Sequence, residues 1–493
     1  MRRLPYSAVS GLLVVAAVAV CGPVTVAAQS PPGATAAQAA WQLSAQDTFR
    51  LESWQFFEPN PGGGDPDYTF GANRLLLQAR RMWPRVDVRL AAQHVGLIGL
   101  PRNASGPGAL GTGPIYFDQG GRRRHPQQLY VRYASARFKN VLPGFSVEVG
   151  RQGFTSGAEA PSSDAGIEAV KRQRLDARLV GEFEWSLYQR SFDGVRADLA
   201  RGSLRATGVA FMPTQGGFAR QSGRTMTDLV VAGAAVDVLP SARRRHTLLQ
   251  GFAWRYDDRR MVTGRPDNSG RTATRADVDV STFGGAIVGA YPRPGGRIDV
   301  LGWFAAQTGN WYGEDHRASA LAAEAGYQWT GVASVPWLRV GILRASGDQS
   351  AGDTSHGTFF PMLPTMRRYS QTTVYSTMNL NDAFVMLTAR PRSGLTARLD
   401  VHRLSLASAG DRWYAGSGAT LSDGGNFGFT GRSSSGQTAL GTSFESSLAW
   451  VISPRWSING FAGLIRGGKV VTSLFKGDRL GFFYLENVVR LGQ

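Results

Sequence analysis

The stretch Leu395-Thr396-Ala397-Arg398-Leu399-Asp400-Val401-His402 decides how this chain reads. Leu395, Ala397, Leu399 and Val401 share one face, and Thr396, Arg398, Asp400 and His402 share the other. Successive side chains of a β-strand point to opposite faces, so this is a strand with one apolar and one polar side. Pro391-Arg392-Ser393-Gly394, just before it, has the residue types of a tight turn. The pattern recurs upstream. Val86, Val88, Leu90 and Ala92 oppose Asp87, Arg89 and Gln93, while Leu129, Val131 and Tyr133 oppose Gln128, Tyr130 and Arg132.

Two environments produce such a period of two. A soluble sandwich buries the apolar face in a core, whereas a transmembrane barrel shows it to lipid and turns the polar face to a wet lumen. Segment length favours the barrel. The segments approach the roughly 9–11 residues of a tilted membrane strand, against about 5–6 for a soluble one. Trp83, Tyr291, Trp329, Trp337, Trp450 and Trp456 flank short turns, as an interfacial girdle would. Outside the N-terminal segment no apolar run is long enough for a transmembrane helix.

The connections give a count. Short turns fall at Pro84, 142–144, 201–202, Pro240, 292–296, 335–336, 391–394 and Pro454, eight in all. Longer polar, Gly-rich stretches fall at 58–67, 99–126, 156–180, 213–227, 259–276, 310–317, 348–370, 408–440 and 469–480, nine in all. A barrel of n strands with both termini on the periplasmic side has n/2 − 1 short turns and n/2 outer loops. Both tallies give an all-β fold of 18 antiparallel strands, with 16 as the alternative. An open sheet of that size would leave an unpaired edge in lipid, so the sheet must close.

Composition agrees. Of 493 residues, 18% are charged, below the roughly 25% of soluble domains, and 62 are glycine. The N-terminus reads as a signal peptide over residues 1–28. Arg2 and Arg3 precede an apolar run at 8–20, and Val26-Ala27-Ala28 fits a cleavage site. The single cysteine, Cys21, lies inside this segment, and the bulky Val20 before it argues against acylation. A mature chain without cysteine suits an oxidising periplasm. Residues 29–40 read as a flexible lead-in and 41–493 as one barrel. The destination is the bacterial outer membrane.

Chemical motifs are few. Gly106-Pro107-Gly108-Ala109-Leu110-Gly111 matches a dinucleotide fingerprint, but a proline sits in its middle and no strand-to-helix context surrounds it. The run 463–469 matches most of a phosphate-binding loop, yet Val470 replaces the required Ser or Thr. Six histidines are scattered without ligand spacing, so neither a zinc site nor any cofactor is expected. Asp348 and Asp353 match no defined calcium loop and read as solvated loop tips. No catalytic constellation is expected.

The positive signal is charge. Lys and Arg number 54 against 36 acids, a formal net +18. Arg89, Arg132, Arg205 and Arg398 fall on the face assigned to the lumen. Basic clusters occur at Arg122-Arg123-Arg124 and at Lys171-Arg172-Gln173-Arg174 with Arg178. A row of guanidiniums in a narrow passage concentrates anions, and their forked donors match carboxylates. The alternative is that these arginines pair with luminal acids and stiffen the wall. A secreted, alternating-strand chain is a poor context for nucleic-acid binding.

Gly150-Arg151-Gln152 and Arg190-Ser191-Phe192-Asp193-Gly194-Val195-Arg196 resemble motifs of the alginate export family of outer-membrane barrels. Weaker matches are Asn379-Leu380-Asn381-Asp382, Asp411-Arg412-Trp413-Tyr414 and the closing stretch 441–491. The resemblance implies an 18-stranded barrel with a basic constriction that selects an anionic polyuronate. It places Arg151, Arg190, Asp193 and Arg196 in matched motifs. Lys171, Arg172, Arg174 and Arg178 fall between them and would line the pathway by position. The chain departs from the family at Gly441-Thr442-Ser443-Phe444-Glu445 and in its C-terminal residues.

Three functions follow as expectations. The first is a channel passing an anionic polysaccharide by passive, arginine-assisted diffusion, as a monomer in outer-membrane lipid with periplasmic secretion proteins as partners. The second is an uptake porin for small anions or sugars. The third is an outer-membrane enzyme or adhesion scaffold.

Overall fold

The computed structural model describes residues 40–110, 112–218, 221–241 and 245–492. The expected signal peptide, the expected lead-in up to residue 39 and Cys21 lie outside the described residues. The alternating segments form β1 (Gln42–Gln55), β2 (Asp67–Met82), β3 (Val86–Ile98), β4 (Gln127–Leu142), β5 (Phe145–Gln152) and β6 (Phe192–Arg201). Then come β7 (Leu204–Pro213), β8 (Leu229–Val238), β9 (Thr247–Asp258), β10 (Val278–Arg293), β11 (Gly296–Trp311) and β12 (Glu314–Trp329). The last six are β13 (Trp337–Ala345), β14 (Leu380–Arg392), β15 (Leu395–Ser405), β16 (Ala439–Ser453), β17 (Trp456–Gly467) and β18 (Arg479–Leu491).

Each strand pairs antiparallel with its sequence neighbours, and β1 pairs with β18 from Ala45↔Leu491 to Gln55↔Gly481. The barrel therefore closes at 18 strands with no edge left to lipid. All eight short turns join strands where the sequence places them. All nine outer connections are also present, but that at 310–317 is only Tyr312-Gly313. Both residues have positive φ, 51° and 83°, the left-handed pair of a two-residue hairpin.

The outward face is apolar. Phe49, Leu77, Leu90, Phe283, Phe304, Ile342, Leu399, Phe444 and Leu464 are all exposed on it. In water such a belt would be a large adhesive patch; in lipid it is the membrane-spanning surface. Trp329, Trp450 and Trp456 are exposed at its short-turn border. Trp337 differs from the expected girdle. It is buried on the inward face, and its Nε1 donates to Asp299 at 2.6 Å. Tyr133 also leaves its expected face. A β-bulge between the β3 residues Ala91 and Ala92 shifts the register opposite Arg132. Both Arg132 and Tyr133 then turn inward and are buried, while Leu129 and Val131 face lipid.

The lumen is layered rather than uniformly wet. Along β1 the inward residues run Gln46, Thr48, Arg50, Glu52 and Trp54 from the short-turn end to the loop end. Along this strand polar groups come first, an ion pair lies in the middle and an aromatic ring stands at the loop end. The upper half is filled because three long connections, 153–191, 346–379 and 406–438, fold inward. Phe183, Phe360, Met362, Leu363, Trp413, Phe427 and Phe429 from these connections are all buried. They pack on inward wall residues such as Trp54, Phe211, Tyr256 and Trp303. Residues Val180 and Leu363 bridge the first two connections, and Arg412–Gly416 pairs with Phe429–Ser433 within the third.

Phe304, 58% exposed in mid-β11, tests the orientation. Phe304→Arg should destabilise the barrel by about 2–4 kcal/mol, as a lipid-facing cation does near the midplane. Gln46→Ser, on the inward face, should stay within about 0.5 kcal/mol. Denaturant titration of refolding into lipid vesicles measures both.

Candidate functional site

The connection 153–191 descends the barrel. Its short helix α1 (Ala165–Val170) is capped by Asp164, which accepts from the backbone N–H of Gly166 at 2.8 Å and Ile167 at 3.2 Å. The other Asp164 oxygen lies 3.1 Å from Nδ1 of His246, in the short turn before β9. Gly166 lies against Ala290 and Arg297, at the short-turn ends of β10 and β11. A segment that begins at the outer rim therefore reaches the periplasmic rim and then climbs back. A π-helical turn, Lys171–Leu175, starts the climb.

A buried carboxylate fixes the climbing limb to the wall. Glu324 of β12 accepts from Arg174 Nε at 2.8 Å, from Arg178 Nη2 at 3.0 Å and from Arg339 Nη2 of β13 at 3.0 Å. Arg339 also pairs with Asp299 of β11. Arg174 stacks on Phe384 at 4.0 Å, and Arg178 on Tyr369 at 4.4 Å. Arg174, Arg178, Arg339 and Glu324 are each at most 5% exposed. The cluster joins one loop to three adjoining strands.

A second cluster holds the rest of the loop on the opposite wall. Arg50 donates to Glu486 at 2.8 and 3.0 Å and to the Trp185 carbonyl at 2.9 Å. Arg74 donates to the carbonyls of Glu184 and Ser186, both at 3.3 Å. Arg132 pairs with Glu182, which also accepts from Tyr133 Oη at 2.5 Å. From connection 346–379, Arg367 stacks on Trp185 at 3.3 Å, and Arg368 bonds Glu184 at 3.1 Å. Burial opposes the charge of Arg368, but the neighbouring Glu184 and Asp176 outweigh it and raise its pKa. Arg367 has no carboxylate partner among the described residues; burial pushes its guanidinium down, to about 9.

The residues singled out by sequence separate into different places. Arg172 is the open one: its side chain is 71% exposed in the lower lumen, held by Glu168 at 3.4 Å. Arg368 donates to the backbone carbonyl of Arg172 at 3.0 Å. Lys171 is buried, and its Nζ donates to the Ala160 carbonyl at 2.5 Å. Arg174 and Arg178 are consumed by Glu324. Arg196 faces inward and binds Asp198 at 2.9 Å. Arg190 is fully buried in the upper half and donates to the Ser417 carbonyl at 2.7 Å, tying two connections together. Burial pushes its guanidinium down, to about 9. Arg151 and Asp193 form a bidentate pair at 2.7 and 2.8 Å at the loop ends of β5 and β6. Their further contacts are Thr225 and the carbonyl of lipid-facing Val131, so the pair braces the rim and does not join the luminal clusters.

Sequence reading did not single out Glu324, Arg339, Asp299, Arg50, Arg74, Glu182, Glu184, Glu486, Arg367 or Arg368. Inward parity marks the wall residues among them as luminal. Nothing local marks their partners, which lie up to 436 positions away.

Glu324→Ala would strand three buried guanidiniums, with Asp299 left for one of them. Removing one partner of such a cluster costs about 3–5 kcal/mol. The expected result is a lowered unfolding midpoint together with larger, noisier single-channel currents as connection 153–191 loosens. Currents identical to wild type would show that the loop is held by other contacts.

Solved structures of outer-membrane channels share this architecture. OpdK of Pseudomonas aeruginosa, solved with vanillate, aligns with a TM-score of 0.56 at 10% identity, over 91% of this chain and 98% of that one. A BenF-like porin from Pseudomonas fluorescens Pf-5 gives 0.56 at 11% identity, over 91% and 99%. OccAB1 of Acinetobacter baumannii gives 0.55 at 9%, over 92% and 96%. At such identities the likeness is one of fold: a bacterial outer-membrane channel barrel. No curated protein sequence matches the chain. A family model described as alginate export matches residues 122–473, well over half of the sequence, and the chain belongs to the alginate export family.

Proposed function

We propose that this outer-membrane channel passes an anionic polysaccharide, an alginate-like polyuronate, by passive diffusion assisted by luminal arginines. The observation that carries the reading is the Arg172 guanidinium, 71% exposed in the open half of the lumen. Glu168 pairs with Arg172 and Glu184 with Arg368. Glu324, Glu182 and Glu486 each hold an arginine, so they stiffen the wall without presenting free negative charge. A carboxylate entering from the periplasm meets forked donors that bind it without the desolvation of a dry site. The reading needs no catalytic residue, cofactor or resident metal. It describes a monomer in outer-membrane lipid whose short-turn mouth faces periplasmic secretion proteins.

A second reading, uptake of small anions, draws support from the filled upper lumen. Three inward-folded connections leave less room for a polymer than an empty 18-stranded barrel would. Under the first reading these connections must move when polymer passes, with the clusters at Glu324 and Glu486 as their anchors.

The discriminating experiment is polymer block in a planar bilayer. Long uronate chains added to the periplasmic side should reduce the current of wild-type channels. Arg172→Glu should raise the half-blocking concentration by at least about tenfold, the scale of one lost charge-assisted hydrogen bond. Free permeation of small anions with no block by long uronates would favour the uptake porin. Negligible conductance would favour a scaffold or enzyme.

A further inference from the structure

The outer wall has a groove that the channel function does not use. It runs over β18, β1, β2, β3 and β4 in the short-turn half of the barrel, with a volume of about 690 Å³. The floor is made by Ala45, Ala79, Ala92 and Ala134, one from each of four strands, and the ridges by Leu43, Leu77, Leu90 and Val131. Strand register places small beside large: Ala45 lies opposite Leu77, Leu77 opposite Ala92, Ala79 opposite Leu90 and Leu90 opposite Ala134. The groove crosses the seam where β18 closes on β1, since Leu491 and Gly492 also line it.

Below the groove, toward the short turns, the outer wall is not apolar. Arg81 is the next outward position after Ala79 on β2, and its guanidinium lies 4.6 Å over the Trp83 ring. Trp41, exposed just before β1, meets Trp83 edge to face at 6.5 Å. Among the described residues Arg81 has no acidic partner, and its Nε is buried without a hydrogen bond. Arg85 is exposed in the adjoining turn. Arg137 and Arg398 in the same half face inward and are paired, with Asp198 and Asp400. An unpaired cation at the level of two interfacial tryptophans faces the headgroup layer of the periplasmic leaflet.

We propose that this groove holds one phospholipid of the periplasmic leaflet that carries net negative charge. An acyl chain lies between the leucine ridges over the alanine floor. The phosphate sits against Arg81, with Trp41 and Trp83 packing at the glycerol level. Charge complementarity selects the occupant: a second copy of this chain would bring another Arg81 to the same place. The bound lipid spans β18, β1 and β2 and so reinforces the seam on which closure depends.

The test is native mass spectrometry of the full chain refolded in equal phosphatidylglycerol and phosphatidylcholine and extracted in mild detergent. Wild type should retain one phosphatidylglycerol per barrel, enriched about fivefold over phosphatidylcholine, the factor one basic residue supplies near an anionic surface. Arg81→Gln should bring the retained lipid back to the bulk ratio. Ala79→Leu, which fills the floor, should remove retained lipid of both kinds. Heat-modifiable electrophoresis confirms that each variant is folded. Retention at the bulk ratio in wild type, enrichment that survives Arg81→Gln in the folded barrel, or a dimer mass in place of a lipid adduct would each overturn the proposal.

Discussion

Glu324 is the interaction on which the interior depends. Alone in a low-dielectric wall, a carboxylate would be costly to bury; with three guanidiniums around it, it becomes a fastening point. Arg339 belongs to the next strand, but Arg174 and Arg178 come from a connection that enters from the opposite end of the barrel. The charge pairing thus holds some forty residues of chain inside a cylinder that lipid forces to close. Desolvation offsets much of the Coulombic gain of such a cluster, so its value lies in register: it fixes which part of the loop stands at which height. Once 174–178 is fixed there, Arg172 is left projecting into the wet half and Arg190 is drawn into the dry one.

The arginines of the interior meet carbonyls, acids and aromatic rings in different combinations. In the upper half Arg190 bridges loops through the Ser417 carbonyl, and Arg260 pairs with Asp258 while donating to the Leu421 and Phe427 carbonyls. In the middle arginines are bound to acids and stacked on rings, as Arg50 is on Trp185. In the lower half Arg172 is exposed, with Glu168 as its ion-pair partner. A strong overall basic excess therefore translates into few mobile positive charges on the pathway. Conduction needs binding weak enough to release, and that condition is met by an exposed guanidinium rather than by one locked in a cluster.

The barrel was legible because lipid imposes a local rule. Each strand must alternate and each turn must be short on one side, so Leu395 to His402 and its counterparts reveal strands, and two independent tallies reach 18. The exceptions are also local but subtler. The bulge at Arg132 turns Tyr133 inward without any glycine or proline to announce it. Trp337 looks like a girdle residue until Asp299 is seen within reach of its indole. The interior was far less legible. The run 171–178 reads as basic, yet nothing nearby says that Glu324, some 150 positions on, neutralises two of its arginines. The motif containing Arg190 draws the eye as a functional segment, and it turns out to join two loops in the dry upper half. Parity marks a residue as inward; it does not say whether a folded-in loop or water will meet it.

The proposed anion pathway requires that lumen-facing arginines set the sign of the pore. The most direct test is the reversal potential of single refolded channels in a planar bilayer under a potassium chloride gradient at neutral pH. The expected reversal potential is displaced toward the chloride equilibrium value. A displacement toward the potassium value would contradict it, because Glu168, Glu184 and their neighbours would then outweigh Arg172 and Arg368 on the path that ions take.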